Sequence, residues 1–291
     1  MPTVYLNGSY LPVEEACVSV MDRGFLFGDG VYEVIPAYGG KLFRLGHHLQ
    51  RLQNSLDGIR LANPLSDGAW QEVLGEVLER NRETAAGNDQ SVYLQVTRGS
   101  AAKRDHGFPD RVTPTVFVFS NPMAEPDPAI AARGIGAITL DDIRWRYCDI
   151  KAITLLPNVL LRQQATDRDA AEALLVRNGL VIEGSASNVF VVSDGVILTP
   201  PRGEQMLPGI TRDLVLELAE QHALPCRETD IDEDTLRRAD EIWITSSTRE
   251  IVPVTRLNDA NVGDGRPGPA WKSMIEFYRD YKNAVRNGTQ S

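Results

Sequence analysis

Arg144-Trp145-Arg146-Tyr147-Cys148-Asp149-Ile150-Lys151-Ala152-Ile153-Thr154-Leu155-Leu156-Pro157 threads one lysine into a largely apolar run. Further on, Ile182-Glu183-Gly184-Ser185-Ala186-Ser187-Asn188-Val189-Phe190 sets an acid ahead of small hydroxyl residues and a β-forming run. A lysine that enters apolar surroundings is costly to keep charged, which makes its amine a usable nucleophile or base. A carboxylate that can serve a pyridinium nitrogen completes the electronic minimum for pyridoxal phosphate chemistry.

Lysine usage narrows the choice. The chain has five lysines, Lys41, Lys103, Lys151, Lys272 and Lys282. Lys41 follows Gly39-Gly40 in a turn, Lys103 lies in a polar loop, and Lys272 and Lys282 belong to a terminal helix. A solvated surface is the ordinary fate of a lysine. Only Lys151 has flanks that argue otherwise.

The 291 residues suffice for a sizeable core, and two compact units are expected. Hydrophobic residues make up 42% and charged residues 24%, an ordinary globular balance. A net charge of −10, with no basic stripe, argues against a nucleic-acid surface. Cys17, Cys148 and Cys226 share no metal-ligand spacing, so no metal site is expected and the thiols read as reduced, in a cytoplasmic setting. The N-terminus lacks the pattern of a signal peptide, and no apolar run approaches the roughly 18 residues of a membrane span.

Periodicity predicts mixed α and β structure throughout. Asn7-Gly8 and Gly39-Gly40 mark hairpins, the second joining 31–38 to 42–43. Helices are predicted over 47–59 and 66–82, and strands over 91–98 and 115–120. The stretch 121–130 carries Pro122, Pro126 and Pro128 and reads as a linker. Past it come strands at 135–140, 173–177, 189–192 and 241–245, and helices at 158–171, 211–222 and 270–284. The expected division is therefore a smaller N-terminal α/β domain over 1–120 and a larger, cofactor-binding domain over 131–291, with the cofactor in the cleft between them.

Further constellations carry chemistry. Gly209-Ile210-Thr211-Arg212-Asp213 opens a helix, with Thr211 able to cap it; it is either a plain helix start or a phosphate cup. Thr245-Ser246-Ser247-Thr248 follows a strand and offers further hydroxyl donors. Arg51 reads as a solvated helix arginine or a bidentate phosphate contact. Arg104-Asp105-His106 is a solvated basic loop or a carboxylate receptor. Asp22-Arg23-Gly24 through Gly28-Asp29-Gly30 lacks the order of a nucleotide fingerprint and a following helix, and reads as a loop carrying Tyr32.

Taken together, these motifs resemble the fold-type IV pyridoxal-phosphate aminotransferases, and among them the D-amino acid (D-alanine) aminotransferases. The resemblance spans nearly the whole chain: Asp22-Arg23-Gly24 to Glu33, His48-x-x-Arg51-Leu52, Arg104-x-His106, Asp142-x-Arg144-Trp145, Cys148-x-x-Lys151, Glu183-Gly184-Ser185-x-Ser187-Asn188, Leu207-x-Gly209-Ile210-Thr211-Arg212-Asp213 and Thr245-Ser246. It implies that Lys151 is the catalytic Schiff-base lysine and Glu183 the partner of the pyridine nitrogen. It assigns the phosphate to Arg51, Ile210, Thr211, Ser246 and Ser247, the ring face to Leu207, and the cofactor lining to Ser185 and Ser187. Tyr32, Arg104 and His106 would receive the substrate carboxylate, the latter two from a partner subunit of a homodimer. Ser247 and Ala186 depart from the threonine and serine of the D-amino acid enzymes, and the loop before Arg104 is one residue longer.

The implied reaction is transamination between a D-amino acid, D-alanine favoured, and a 2-oxo acid, 2-oxoglutarate favoured. Competing readings are a branched-chain L-amino acid aminotransferase, a 4-amino-4-deoxychorismate lyase and, least favoured, a non-catalytic cofactor-binding protein.

Overall fold

The computed structural model describes residues 2–84, 89–111 and 113–290. The chain divides into two compact units. One comprises Met1–Ala124, Ile150–Thr154 and Lys282–Ser291; the other comprises Glu125–Asp149 and Leu155–Tyr281. The first boundary falls inside the expected linker, but two later segments belong with the N-terminal unit. Lys151 is in one of them. Within the proline-rich stretch, the strand Thr115–Pro122 runs in from one side and the helix Pro128–Arg133 starts at the other, capped by Asp127 on the Ala129 N–H at 2.8 Å.

The first unit is built on a six-stranded antiparallel sheet in the order Ser9–Pro12, Thr3–Leu6, Thr115–Pro122, Gln90–Thr97, Gly30–Tyr38, Lys41–Leu42. Val31, Ile35 and Ala37 alternate along Gly30–Tyr38 onto one face and are fully buried. Two helices, Leu45–Gly58 and Asp67–Arg80, supply Leu49, Leu52, Leu56, Trp70, Leu74 and Val77 to the same core. Ser66 caps the second helix through the Ala69 N–H at 3.3 Å.

The 22–33 motif contains a five-residue helix, Arg23–Phe27, that the sequence reading lacked. Asp22 caps it by accepting from the Gly24 N–H, and Gly28 ends it in the left-handed region at φ 68°.

The second unit holds a nine-stranded mixed sheet: Cys226–Glu228, Val196–Thr199, Asn188–Ser193, Glu241–Ser246, Glu250–Leu257, Ile135–Asp141, Glu172–Arg177 and Leu180–Gly184 in order, with Ala260–Asn261 paired to Glu250–Leu257. Its helices include Leu156–Thr166, Ile210–Gln221 and most of Pro269–Asn287. No helix among the described residues is long and apolar enough to cross a membrane.

Leu56 has no exposure and belongs to the core that the sheet and the two helices share. Leu56→Ala should lower unfolding free energy by about 3 kcal/mol, the scale of a leucine truncation in a sealed core, read by chemical denaturation.

Candidate active site

Lys151 is fixed by its main chain to the free edge of the strand Gly30–Tyr38. The partner hairpin strand Lys41–Leu42 covers only the far end of that strand, opposite Ala37 and Tyr38. The near end takes the segment Ile150–Thr154 instead. The Tyr32 N–H donates to the Lys151 carbonyl at 3.0 Å, the Ile153 N–H donates to the Gly30 carbonyl at 3.1 Å, and Val31 and Ala152 pair antiparallel. On the helix side, the Lys151 N–H donates to Ser55 Oγ at 3.1 Å. Close approach demands small residues: a Cβ on Gly58 would lie 2.9 Å from Ile150. So held, the Lys151 amine stands 4.3 Å from the centre of the Tyr32 ring, which itself stacks on Tyr93 at 5.6 Å.

The same unit holds a buried charged group. Glu33 shares the inward face of its strand with Val31 and Ile35 and has no exposure. Arg51 grips it through Nε to Oε1 and Nη2 to Oε2, both at 2.7 Å, and His48 Nδ1 meets Oε2 at 2.7 Å. An ionised carboxylate only accepts, so His48 carries its proton on Nδ1. Burial raises the Glu33 carboxyl, but Arg51 and the His48 bond outweigh it and hold it at about 2. Burial lowers His48 against the pull of Glu33. Arg51 is therefore neither solvated nor uncommitted: one edge of its guanidinium belongs to Glu33.

In the second unit, Glu183 is the penultimate residue of the strand Leu180–Gly184. Leu175 faces Glu183 while Val176 faces Val181, so Ile182 is left over as a bulge that re-aims the acid. Glu183 is 4% exposed. It accepts from Arg144 Nη1, from Asn188 Nδ2 at 3.1 Å and from the Leu207 N–H at 3.2 Å. Arg144 is also bidentate to Asp142, with both contacts at 2.9 Å, and Arg177 meets the same Asp142 at 2.9 Å. Burial pushes the Glu183 carboxyl up to about 7, against the pull of Arg144 and of the Leu207 N–H.

Asn188 joins this acid to the next loop by donating to the Leu207 carbonyl at 2.9 Å. Gly209 sits where any Cβ would strike Asn188 Oδ1 at 1.9 Å. The cap of the helix Ile210–Gln221 is Gly209 rather than Thr211, which lies inside the first turn, and no side chain caps it. The first N–H groups of that helix therefore receive no side-chain acceptor, and Ile210 and Thr211 are buried around them. Thr245 Oγ1 is buried without a hydrogen-bond partner among the described residues, one residue before the half-buried Ser246 and Ser247.

Ser185 and Ser187 turn elsewhere. Both hydroxyls donate to the fully buried Glu172, Ser187 at 3.0 Å, and Arg249 adds a contact to it at 3.2 Å. Arg104 and His106 are exposed and lean on Phe27, at 4.9 and 5.3 Å. The motifs quoted for the resemblance contain Glu33, His48, Arg144 and Asn188 without giving them roles; for Glu33 the signal was a polar residue on the strand face that Val31 and Ile35 turn into the core.

Residues 30–257 match the family model for amino-transferase class IV. The chain belongs to the class IV aminotransferases. It is 41% identical to a D-alanine aminotransferase of Bacillus licheniformis over 93% of this chain and 94% of that one. A D-alanine aminotransferase of Staphylococcus epidermidis is 38% identical, with 97% and 98% covered. Among solved structures, a branched-chain amino acid aminotransferase of T.th., with pyridoxamine 5'-phosphate, superposes at a TM-score of 0.90 with 28% identity, covering 97% and 94%. The corresponding Escherichia coli enzyme gives 0.87 with 26% identity, covering 96% and 93%. This class IV aminotransferase thus pairs family sequence with family fold along its length.

Removing the carboxylate charge of Glu33 takes away the counter-charge that the buried Arg51 grips through Nε and Nη2. Glu33→Gln should cost about 3–5 kcal/mol of stability at neutral pH. Because the folded-state value lies below the ordinary 4.5, the native pair stabilises fully above that pH and loses its advantage as pH falls toward about 2. The gap between native and variant in denaturation midpoint should therefore close across that acid window.

Proposed function

We propose that this aminotransferase moves the amino group between a D-amino acid, with D-alanine favoured, and a 2-oxo acid, with 2-oxoglutarate favoured, using pyridoxal 5'-phosphate. The observation that carries the choice of substrate is near full-length similarity to relatives named D-alanine aminotransferase, at higher identity than the branched-chain enzymes of the same fold.

The residues present fit the cofactor. The helix start at Gly209, without a side-chain cap, with the partnerless Thr245 hydroxyl as a further donor, suits a phosphate. Ile210, Thr211, Ser246 and Ser247 would hold that phosphate with Arg51, whose grip on Glu33 orients its guanidinium. Leu207 would pack on the ring. Glu183 would pair with the ring nitrogen; Ser185 and Ser187 would support this region through Glu172 rather than by direct contact. When bound, the cofactor supplies an electron sink that acidifies the substrate Cα–H.

Lys151 would hold the cofactor, and its Nζ would carry the proton from the substrate Cα. The ring of Tyr32 favours the ammonium once that proton has arrived. Glu183, poised near neutrality, can keep a proton on a basic ring nitrogen while Arg144 and Asn188 fix its direction. Tyr32, Arg104 and His106 would read the substrate carboxylate. A homodimer in which the Arg104–His106 loop serves the partner's site belongs to the same reading.

Lys151→Ala should remove the visible absorbance of the holoenzyme and reduce turnover by at least about a thousandfold, within the span of a lost general base. Native protein should process D-alanine in preference to L-leucine with 2-oxoglutarate as acceptor. Turnover of L-leucine alone would make it a branched-chain enzyme instead.

A further inference from the structure

The Asp22–Gly30 motif has no part in the chemistry above, yet it is densely bonded. Arg23 has only 3% exposure and spends its donors on another loop. Its Nη1 donates to the Asp105 carbonyl at 2.5 Å and the Gly107 carbonyl at 3.3 Å, and its Nη2 to the His106 carbonyl at 3.2 Å. Its Nε donates to Asp29 Oδ2 at 2.8 Å. One guanidinium therefore spans three consecutive carbonyls of the segment that bears Arg104 and His106. The ring of Phe27, one turn along the same short helix, lies 4.9 Å from the guanidinium carbons of Arg23 and Arg104 and 5.3 Å from the His106 ring.

We propose that Arg23 is a positioning residue for substrate recognition, setting the backbone of Arg104-Asp105-His106 so that the two basic side chains face a carboxylate. The proposal rests on the reading of Arg104 and His106 as the carboxylate receptor.

The segment needs such a hold. It lies between the strands Gln90–Thr97 and Thr115–Pro122, where residues 101–111 form no helix or strand and residues 102–108 are exposed. An unanchored loop of that length samples many shapes, and each binding event then carries the cost of ordering it. The anchor is itself rigid. Asp22 accepts from Thr97 Oγ1 at 2.8 Å and Thr115 Oγ1 at 2.6 Å, tying the Arg23–Phe27 helix to both strands at the loop's feet. Asp29 also accepts from Arg98 Nε at 2.8 Å, and Arg98 lies 3.8 Å from the Phe108 ring at the loop's far end. Three backbone acceptors define a curve that a guanidinium fork matches and a single ammonium does not.

The experiment compares holoenzyme variants by steady-state kinetics and by inhibition with propionate, a carboxylate without an amine. Arg23→Lys keeps the charge and loses the fork; it should raise KM for both D-alanine and 2-oxoglutarate, and the propionate inhibition constant, on the order of tenfold. The turnover number should change far less. Combined with Arg104→Leu, it should add nothing to the effect of Arg104→Leu alone, because both act through one contact. If Arg23→Lys does not fold, Phe27→Leu tests the same support and should raise KM in the same direction.

Unchanged KM in a folded Arg23→Lys, a further rise on the Arg104→Leu background, or unchanged KM in Phe27→Leu overturns the proposal. Arg104→Leu alone separates the two levels. If that variant weakens propionate and Arg23→Lys does not, only the positioning role fails. If Arg104→Leu itself leaves KM and propionate inhibition unchanged, the carboxylate-receptor reading fails and the proposal falls with it.

Discussion

A carboxylate sealed from water organises the unit that carries Lys151. Glu33 occupies a core position of its strand, and an unmatched charge there would be untenable. The match comes from one stripe of the helix Leu45–Gly58, where His48 and Arg51 sit three residues apart. Satisfying Glu33 fixes the rotation of that helix on the sheet. The same rotation presents Ser55, four residues further along the stripe, to the Lys151 N–H. The placement of the Lys151 main chain is thus tied, through Ser55, to the helix rotation that the ion pair sets.

The two buried acids show how neighbours divide labour between identical groups. Glu33 and Glu183 are both buried, yet one is held at about 2 and the other rises to about 7. Glu33 has both edges of its carboxylate met by donors, with a guanidinium fork on it. Glu183 receives a single arm of an arginine whose fork is engaged by Asp142, and Asp142 adds its own repulsion. The first environment makes a fixed charge. The second makes one that can gain or lose a proton near neutrality.

Much of this was legible from residue order. The helices bearing Leu49, Leu52 and Leu56, and the strands with β-branched alternation, stand where the periodicity put them to within a few residues. The strand Glu250–Leu257 is absent from the sequence analysis, and it carries Pro253 in its interior, where a proline is unusual. In the structure, pairing with Ile135–Asp141 begins only at Val254, so on that side no strand residue stands opposite the proline. Leu180–Gly184 and Val196–Thr199 were hidden behind motifs, although Asn178-Gly179 and Asp194-Gly195, all at positive φ, mark their hairpins. Lys151 and Glu183 stood out by residue type, whereas the carboxylate holding Arg51 and the acid holding Ser185 and Ser187 did not. Those pairings join residues distant in the chain, and no local pattern encodes which polar side chain will meet which.

Lys151 reaches its strand from roughly 120 residues further along the chain, after an excursion into the other compact unit. Contacts of such long sequence separation form late, because loop-closure entropy opposes them until the receiving surface exists. During synthesis, the sheet and the Glu33–Arg51 pair have all their residues before the lysine segment is translated. The segment Ile150–Thr154 therefore docks onto an edge whose strands have already been made, and Lys282–Ser291 joins the same unit later still.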